Sequence, residues 1–214
     1  MKVRALVLVF CLAPLLLAAD HPKAATVSAD QLWQDLAAGN ARFVAGKPNA
    51  RNLPAERAKL ASTQAPHVAV LACSDSRVAP ELLFDKTLGD LFVVRDAGNT
   101  PDPIAIGSLE YSVEHLGTTM IVVMGHQSCG AVKAACSGGK MPTAGLDAVV
   151  QPIKASCSLA KGNDVEPATR DHVHQAALAL LAQSPILKHR VDEKKLAIVE
   201  AYYSLDSGKV ERLK

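Results

Sequence analysis

The sequence lacks any block of like charge. Its total charge is also nearly balanced, with 23 Lys and Arg residues against 21 Asp and Glu residues and a formal net charge of +2. This balance argues against a nucleic acid or an anionic membrane surface as partner. Aromatic residues are also scarce, at 4%, and the plentiful aliphatic residues are typical of helices packed on a parallel sheet. The 214 residues contain no internal repeat and no linker, which predicts one domain with a proper core.

The one long apolar run lies at the amino terminus. Met1–Arg4 is basic, Ala5–Leu17 is apolar apart from Pro14, and the small pair Ala18-Ala19 follows. This is the pattern of a signal peptide, and the run is short for a membrane span. We therefore expect residues 1–19 to be removed, leaving residues 20–214 as a single catalytic domain that is periplasmic or secreted. The leader takes two basic residues with it, so the mature chain is about neutral and its expected partner is a small molecule.

The order of the predicted elements indicates an α/β fold. A capping box at Ser28–Gln31 opens one helix and Pro54 another, and together they form an N-terminal helical arm. Apolar runs predict strands at His67–Cys73, Leu91–Arg95, Thr118–Met124 and Leu196–Tyr203, with a short last strand around Val210. The main helices between them are predicted at Pro103–His115, Leu146–Ala160 and Thr169–Gln183. This alternation predicts a mainly parallel central sheet flanked by helices.

Metal-ligating residues follow two of the predicted strands. Cys73 ends the first strand, and His126 and Cys129 follow the third. Two thiolates and one imidazole suit Zn²⁺, and three protein ligands leave a fourth position open, as in catalytic zinc sites. Taken singly, these residues would be a buried thiol, a capping histidine or half of a Cys73–Cys129 disulfide. Their presence at both strand ends favours a metal site.

Asp75 and Arg77 lie directly after Cys73. The Asp75 carboxylate could fill the fourth position on the metal, or Arg77 could hold it bidentately and keep it off the metal. The common alternative for such a pair is a surface ion pair.

Several short segments together resemble one enzyme family, the β-class carbonic anhydrases. They are Gly39–Phe43, Cys73–Val78, Asp90–Arg95, Glu110–Val113, Gly125–Gly130 and Ala201–Tyr203. The resemblance spans nearly the whole mature chain. It implies the β-carbonic anhydrase fold, one Zn²⁺ per subunit held by two cysteines and one histidine, and homodimers or larger assemblies. It also implies reversible hydration of CO₂ to bicarbonate and a proton through zinc-bound hydroxide.

The resemblance also assigns roles to individual residues. Asp75 and Arg77 correspond to the family's catalytic dyad, with Asp75 as a conditional fourth ligand. Gln64 corresponds to a donor to the substrate oxygen, and Phe92 and Tyr111 to pocket walls that are partly contributed across the dimer. From the residues alone, Phe92 and Tyr111 would be ordinary core residues.

Two positions bear on how the site is regulated and shaped. Val70 stands where the subset with an inhibitory bicarbonate pocket has Trp, so we expect an open site without that mode of regulation. Asp96 stands where the family more often has Asn, which affects the geometry of the local loop.

Two thiolates donate more charge than imidazoles do, so the bound water should be less acidic, and we expect activity to rise above neutral pH. His115, His172 and His174 are candidates for the residue that carries the proton to buffer. The sequence does not distinguish them from exposed histidines that take no part in the reaction.

Two further cysteines, Cys136 and Cys157, flank a loop and would form either a disulfide or two free thiols. Two other functions stay open at this point. One is a zinc-binding or redox module without turnover, and the other is a hydrolase of CS₂ or COS at the same metal site.

Overall fold

The sheet is the centre of the fold, and the computed structural model describes residues 27–214. The expected leader, residues 1–19, lies outside this range. The strands are β1 (Val68–Cys73), β2 (Leu91–Asp96), β3 (Met120–His126), β4 (Ala197–Tyr203) and β5 (Val210–Arg212). Their order is β2-β1-β3-β4-β5. The first four are parallel and β5 is antiparallel to β4, which confirms the predicted mainly parallel sheet.

Helices cover the sheet and precede it. They are α1 (Ala29–Val44), α2 (Leu53–Leu60), α3 (Pro80–Leu83), α4 (Pro103–His115), α5 (Gly130–Cys136), α6 (Ala144–Val150), α7 (Glu166–Gln183) and α8 (Pro185–Asp192). The predicted capping box is present, since the Ser28 and Gln31 side chains bond to each other's backbone N–H groups. Among residues 27–214, none of the helices combines the length and apolarity that crossing a membrane requires.

The structure differs from the sequence predictions at three places: two predicted elements have different bounds or type, and one helix was missed. The helix predicted over Leu146–Ala160 is α6 followed by a 3₁₀ helix, Gln151–Leu159, because Pro152 lacks the N–H that a continuous α-helix needs. Helix α8 was not predicted, although the Ser184 side chain caps it and Pro185 opens it. Strand β3 begins two residues later than Thr118 and extends through His126, so this histidine belongs to the strand itself.

The core lies on both faces of the sheet because successive side chains of a strand point in opposite directions. Val68, Val70 and Ala72 pack with α1 and α3 on one face. Ala69 and Leu71 pack with α4 and α7 on the other face. A third buried cluster lies at the carboxyl ends of β1 and β3, where Cys73 and Cys129 pack with the side chains of α5 and the 3₁₀ helix.

A buried ion cluster fastens the N-terminal helices to the domain. The Asp85 side chain is inaccessible to solvent and pairs with Arg42 at 2.5 Å and Arg51 at 2.7 Å. It also accepts the Asn49 backbone N–H. The Arg42 guanidinium, with Asn49 and Arg51, lowers the pKa of Asp85 to about 2. The cluster therefore depends on an ionised Asp85.

Candidate metal centre

Strand β1 delivers Cys73 to the carboxyl edge of the sheet. All six of its residues are buried, and it pairs with β2 and β3. Arg95 of β2 holds the following turn by donating from Nε to the Cys73 carbonyl, 3.1 Å, and from Nη2 to the Asp75 carbonyl, 2.7 Å. Sequence reasoning did not give Arg95 this role, because these bonds require the parallel register of β1 and β2.

Strand β3 delivers His126 to the same edge, and a short turn brings Cys129 back beside it. Ser128 in that turn adopts a left-handed φ of 55°, and Cys129 immediately precedes α5. The His126 ring is fully buried. Its Nδ1 lies 2.9 Å from the Gln127 carbonyl oxygen, which accepts a hydrogen bond from the Nδ1–H group. Nε2 has no hydrogen-bond partner among the described residues.

The three predicted ligands converge. Cys73 Sγ, Cys129 Sγ and a His126 ring nitrogen all lie within 4.8 Å of one another, and the two sulfur atoms are 4.0 Å apart. Two sulfur donors and one imidazole are a zinc-type ligand set. The unpartnered Nε2 fits this assignment, since a buried imidazole nitrogen without a hydrogen bond has its lone pair free for a metal. Cys73, His126 and Cys129 are thus positioned as zinc ligands.

The Cys73 and Cys129 thiols are hydrogen-bonded to each other, so the ionisation of one affects the other. A hydrogen bond from Cys129 lowers the pKa of the Cys73 thiol, helped by His126 and by the Gly98 N–H. The pKa of Cys129 is raised, because it donates to Cys73 and is buried. One thiolate is therefore favoured before any metal binds, and metal binding must displace the proton of the other.

Arg77 holds Asp75 beside the three ligands. Its Nε and Nη2 donate to the two carboxylate oxygens at 2.9 and 2.7 Å, and its backbone N–H donates to Oδ1 at 3.0 Å. These bonds keep the pKa of Asp75 well below its usual range. Asp75 Oδ2 lies 3.9 Å from His126 Nε2, so the carboxylate borders the site while Arg77 occupies both of its oxygens.

The predicted substrate-pocket residues lie elsewhere in the same chain. Phe92 pairs with Ala69, whereas Cys73 pairs with Asp96, so Phe92 is four residues back along the sheet, about 13 Å at strand spacing. Tyr111 is 49% exposed, and its ring centroid is 6.4 Å from that of Phe92. Gln64 is exposed and borders a surface cavity with Tyr111 and His115. A single chain therefore does not bring these residues to its own metal centre.

The histidines considered as proton shuttles differ in their surroundings. His174 is exposed and paired with Glu200, and His115 stacks near Tyr111. His172 is 1% exposed, so its description as an exposed bystander was wrong. Burial in α7 was not apparent from the sequence, because α7 has apolar residues on several faces.

Asp96, the departure from the family pattern, lies at the end of β2. Its Oδ1 accepts the Thr100 N–H at 2.6 Å, while Oδ2 has no partner among residues 27–214. Burial raises the pKa of Asp96 to about 7. An asparagine would carry no charge here, so this chain has a titratable group beside Cys73 in place of a neutral one.

The remaining two cysteines, Cys136 and Cys157, are joined by a disulfide in the structure. Cys136 ends α5 and Cys157 lies in the 3₁₀ helix, so the bridge ties these two elements together beneath the metal centre. Cys73 and Cys129 are the free cysteines of the described part of the chain.

Comparisons with known proteins agree with this site. A family profile described as carbonic anhydrase matches residues 68–210. Carbonic anhydrase 2 of Mycobacterium tuberculosis is 41% identical over 184 residues, covering 83% of this chain and 89% of that protein. The carbonic anhydrase of Mycolicibacterium smegmatis is 40% identical over 186 residues, covering 84% and 90%.

Solved structures show the same fold. A tetrameric β-carbonic anhydrase of Sordaria macrospora covers 86% of this chain and 97% of its own, with a TM-score of 0.68 and 25% identity. The β-carbonic anhydrase CafA of Aspergillus fumigatus covers 75% and 81%, with a TM-score of 0.66 and 25% identity.

A mainly parallel α/β sheet with two thiols and one imidazole at its carboxyl edge is typical of a zinc enzyme. Within that class, the chain belongs to the β-class carbonic anhydrases. This family uses zinc to hydrate CO₂. A non-catalytic zinc module and a CS₂ or COS hydrolase are not favoured.

Proposed function

We propose that this chain hydrates CO₂ reversibly as a secreted homodimer, with Cys73, His126 and Cys129 holding the metal and Asp75 and Arg77 acting as the catalytic dyad. The observation that carries the proposal is the convergence of the three ligand atoms within 4.8 Å. When bound, zinc lowers the pKa of its water from 15.7 toward about 7 and so supplies a nucleophile near neutral pH.

The chain's own residues then orient the reaction. The His126 Nδ1–H bond to the Gln127 carbonyl fixes which ring nitrogen faces the ligand cluster. Arg77 engages both carboxylate oxygens of Asp75 and thereby favours an open fourth position on the metal. The ionised Asp75, bordering the cluster, can accept a hydrogen bond from the reacting water and orient its lone pair toward CO₂.

Homodimer formation supplies the substrate pocket. Phe92 lies about 13 Å along the sheet from the level of Cys73, and Gln64 and Tyr111 group around a separate cavity. A two-fold interface can bring these residues of one subunit to the metal centre of the other. In that arrangement Phe92 and Tyr111 exclude water around CO₂, and the Gln64 amide donates to the oxygen on which charge develops.

Secretion is inferred from the basic and apolar pattern of residues 1–19, and an oxidised Cys136–Cys157 pair is typical of an oxidising compartment. Mass spectrometry of the mature protein tests both points. We expect an amino terminus near Asp20 and a Cys136–Cys157 peptide that is linked without reductant. A retained leader would contradict secretion, and alkylation of both thiols without reductant would contradict the bridge.

The activity is tested by stopped-flow CO₂ hydration across pH, with zinc measured on the same samples. We expect turnover that rises above neutral pH in the wild type. Cys73→Ala and His126→Ala should lose zinc and turnover together, while His189→Ala, an exposed change on α8, should lose neither. Full turnover in a zinc-free variant would contradict the proposal.

A further inference from the structure

The loop between β2 and α4 contacts the metal centre through one backbone amide. The Gly98 N–H donates to Cys73 Sγ at 3.3 Å. Gly98 has a φ of +84°, a conformation that side-chain-bearing residues rarely adopt. The left-handed backbone at this position directs the amide toward the sulfur, so the loop supplies a hydrogen bond to a predicted zinc ligand.

The Gly98 Cα is closely packed on two sides. A Cβ at this position would lie 2.9 Å from Ile153 Cδ1 and 3.0 Å from Ala131 Cβ. On the third side, His172 Nε2 lies 2.8 Å from the Gly98 carbonyl oxygen. Since a carbonyl oxygen only accepts, Nε2 carries the proton and donates it. The His172 ring therefore holds the peptide that follows the Gly98 Cα, whereas the N–H that bonds to Cys73 belongs to the peptide that precedes it.

Helix α7 brings His172 to this position because it packs closely on β3. A Cβ on Gly125 would lie 2.5 Å from Val173 Cγ2, so the glycine before His126 is what permits the approach. His172 is 1% exposed, and its burial lowers the pKa of the imidazole below its ordinary value. Its Nδ1 has no partner among the described residues.

We propose that His172 is a positioning residue for the metal centre, which fixes the Gly98 carbonyl and thereby restrains the backbone of Gly98, whose N–H bonds to the Cys73 sulfur. An N–H bond to a thiolate takes up part of its negative charge and restrains its lone pairs, as partners of metal ligands do. Without the His172 bond, the φ and ψ angles of Gly98 are less restrained, because glycine has no Cβ, and the bond from its N–H to sulfur weakens. The inference deepens the proposed function, since it rests on Cys73 being a zinc ligand.

Two substitutions separate the hydrogen bond from the space that the ring fills. In His172→Gln the amide nitrogen can replace Nε2 as donor to the Gly98 carbonyl, whereas His172→Leu fills the space without a donor. His174→Leu is the control on the same helix, because His174 is exposed and bonds only to Glu200. Zinc affinity is measured by competition with a chelator, and the Cys-to-metal charge-transfer band is recorded with Co²⁺ in place of zinc.

We expect His172→Leu to bind zinc about 10–100-fold more weakly and to shift the charge-transfer band. His172→Gln and His174→Leu should stay close to the wild type in both measurements. Equal weakening in the Leu and Gln variants would reduce His172 to a structural role and overturn the proposal, and so would a His172→Leu variant that is unchanged in both. Failure of the wild type to bind zinc through Cys73 would instead reject the proposed metal centre.

A measurement on the wild type covers the case in which His172→Leu does not fold. In protein loaded with ¹¹³Cd, the Gly98 amide proton should show a scalar coupling to the metal through Cys73 sulfur. Nitrogen chemical shifts should place the His172 proton on Nε2. Absence of the coupling, or a proton on Nδ1, would overturn the proposal.

Discussion

A heterodimer with two different defects tests whether each active site is shared between chains. One chain carries Cys73→Ala and the other Gln64→Ala, and two affinity tags isolate the mixed dimer after co-expression. The Cys73→Ala homodimer should bind no zinc at the centre. The Gln64→Ala homodimer should lose about 100-fold in turnover, as expected when a donor to a developing oxygen charge is removed.

The two arrangements predict very different results for the mixed dimer. If Gln64 serves the partner's metal centre, the Gln64→Ala chain's zinc meets the intact Gln64 of the other chain, and one of the two sites is complete. Turnover should then be about half that of the wild-type dimer. If Gln64 serves its own chain, the one chain that binds zinc lacks Gln64, and turnover should be about 0.5% of the wild type, half of what the roughly 100-fold loss leaves.

Stopped-flow CO₂ hydration on the purified mixed dimer decides between these values, which differ by roughly 100-fold. A mixed dimer of Cys73→Ala with His126→Ala is the matched control, because both of its metal centres are defective in either arrangement. Turnover of about 0.5% in the Cys73→Ala and Gln64→Ala dimer would refute the shared site. Sedimentation analysis confirms that the species assayed is a dimer.

Three further predictions concern single residues. Asp85→Asn should destabilise the protein by about 3 kcal/mol, because it leaves Arg42 and Arg51 unpaired; an unchanged urea midpoint would contradict this. Arg77→Leu should lower kcat/KM about 10–100-fold at unchanged zinc content, and wild-type turnover would contradict the dyad. The folded pKa of Asp96, about 7, lies above the unfolded value, so this carboxyl favours folding below pH 4 and loses that contribution as pH rises to 7. Asp96→Asn should therefore raise Tm at pH 8 but not at pH 4, and an equal shift at both would contradict the assignment.

The sheet and the ligand set could be predicted because both are encoded locally. Buried apolar runs gave β1 and β3, and Cys73 and His126 lie at their ends. Parallel neighbours end at the same edge of a sheet, so the two strand ends sufficed to predict convergence.

The surroundings of the ligands could not be predicted from local patterns. Arg95 bonds to the carbonyls of Cys73 and Asp75 only because of the register between β1 and β2. His172 lies 74 residues from Gly98 in sequence, and its burial depends on how closely α7 approaches Gly125. The pairing register of β1 and β2 also determines the position of Phe92, which lies away from the metal centre of its own chain.

The most direct test of the account is a measurement of which atoms bind the metal. X-ray absorption at the zinc edge of the purified wild type, with metal quantified on the same sample, reports the number and type of ligands. The account predicts one zinc per chain with two sulfur neighbours and one imidazole nitrogen, and a light-atom fourth neighbour that added anions exchange. A site with a different number of sulfur atoms, or one that survives in Cys129→Ser unchanged, would contradict it.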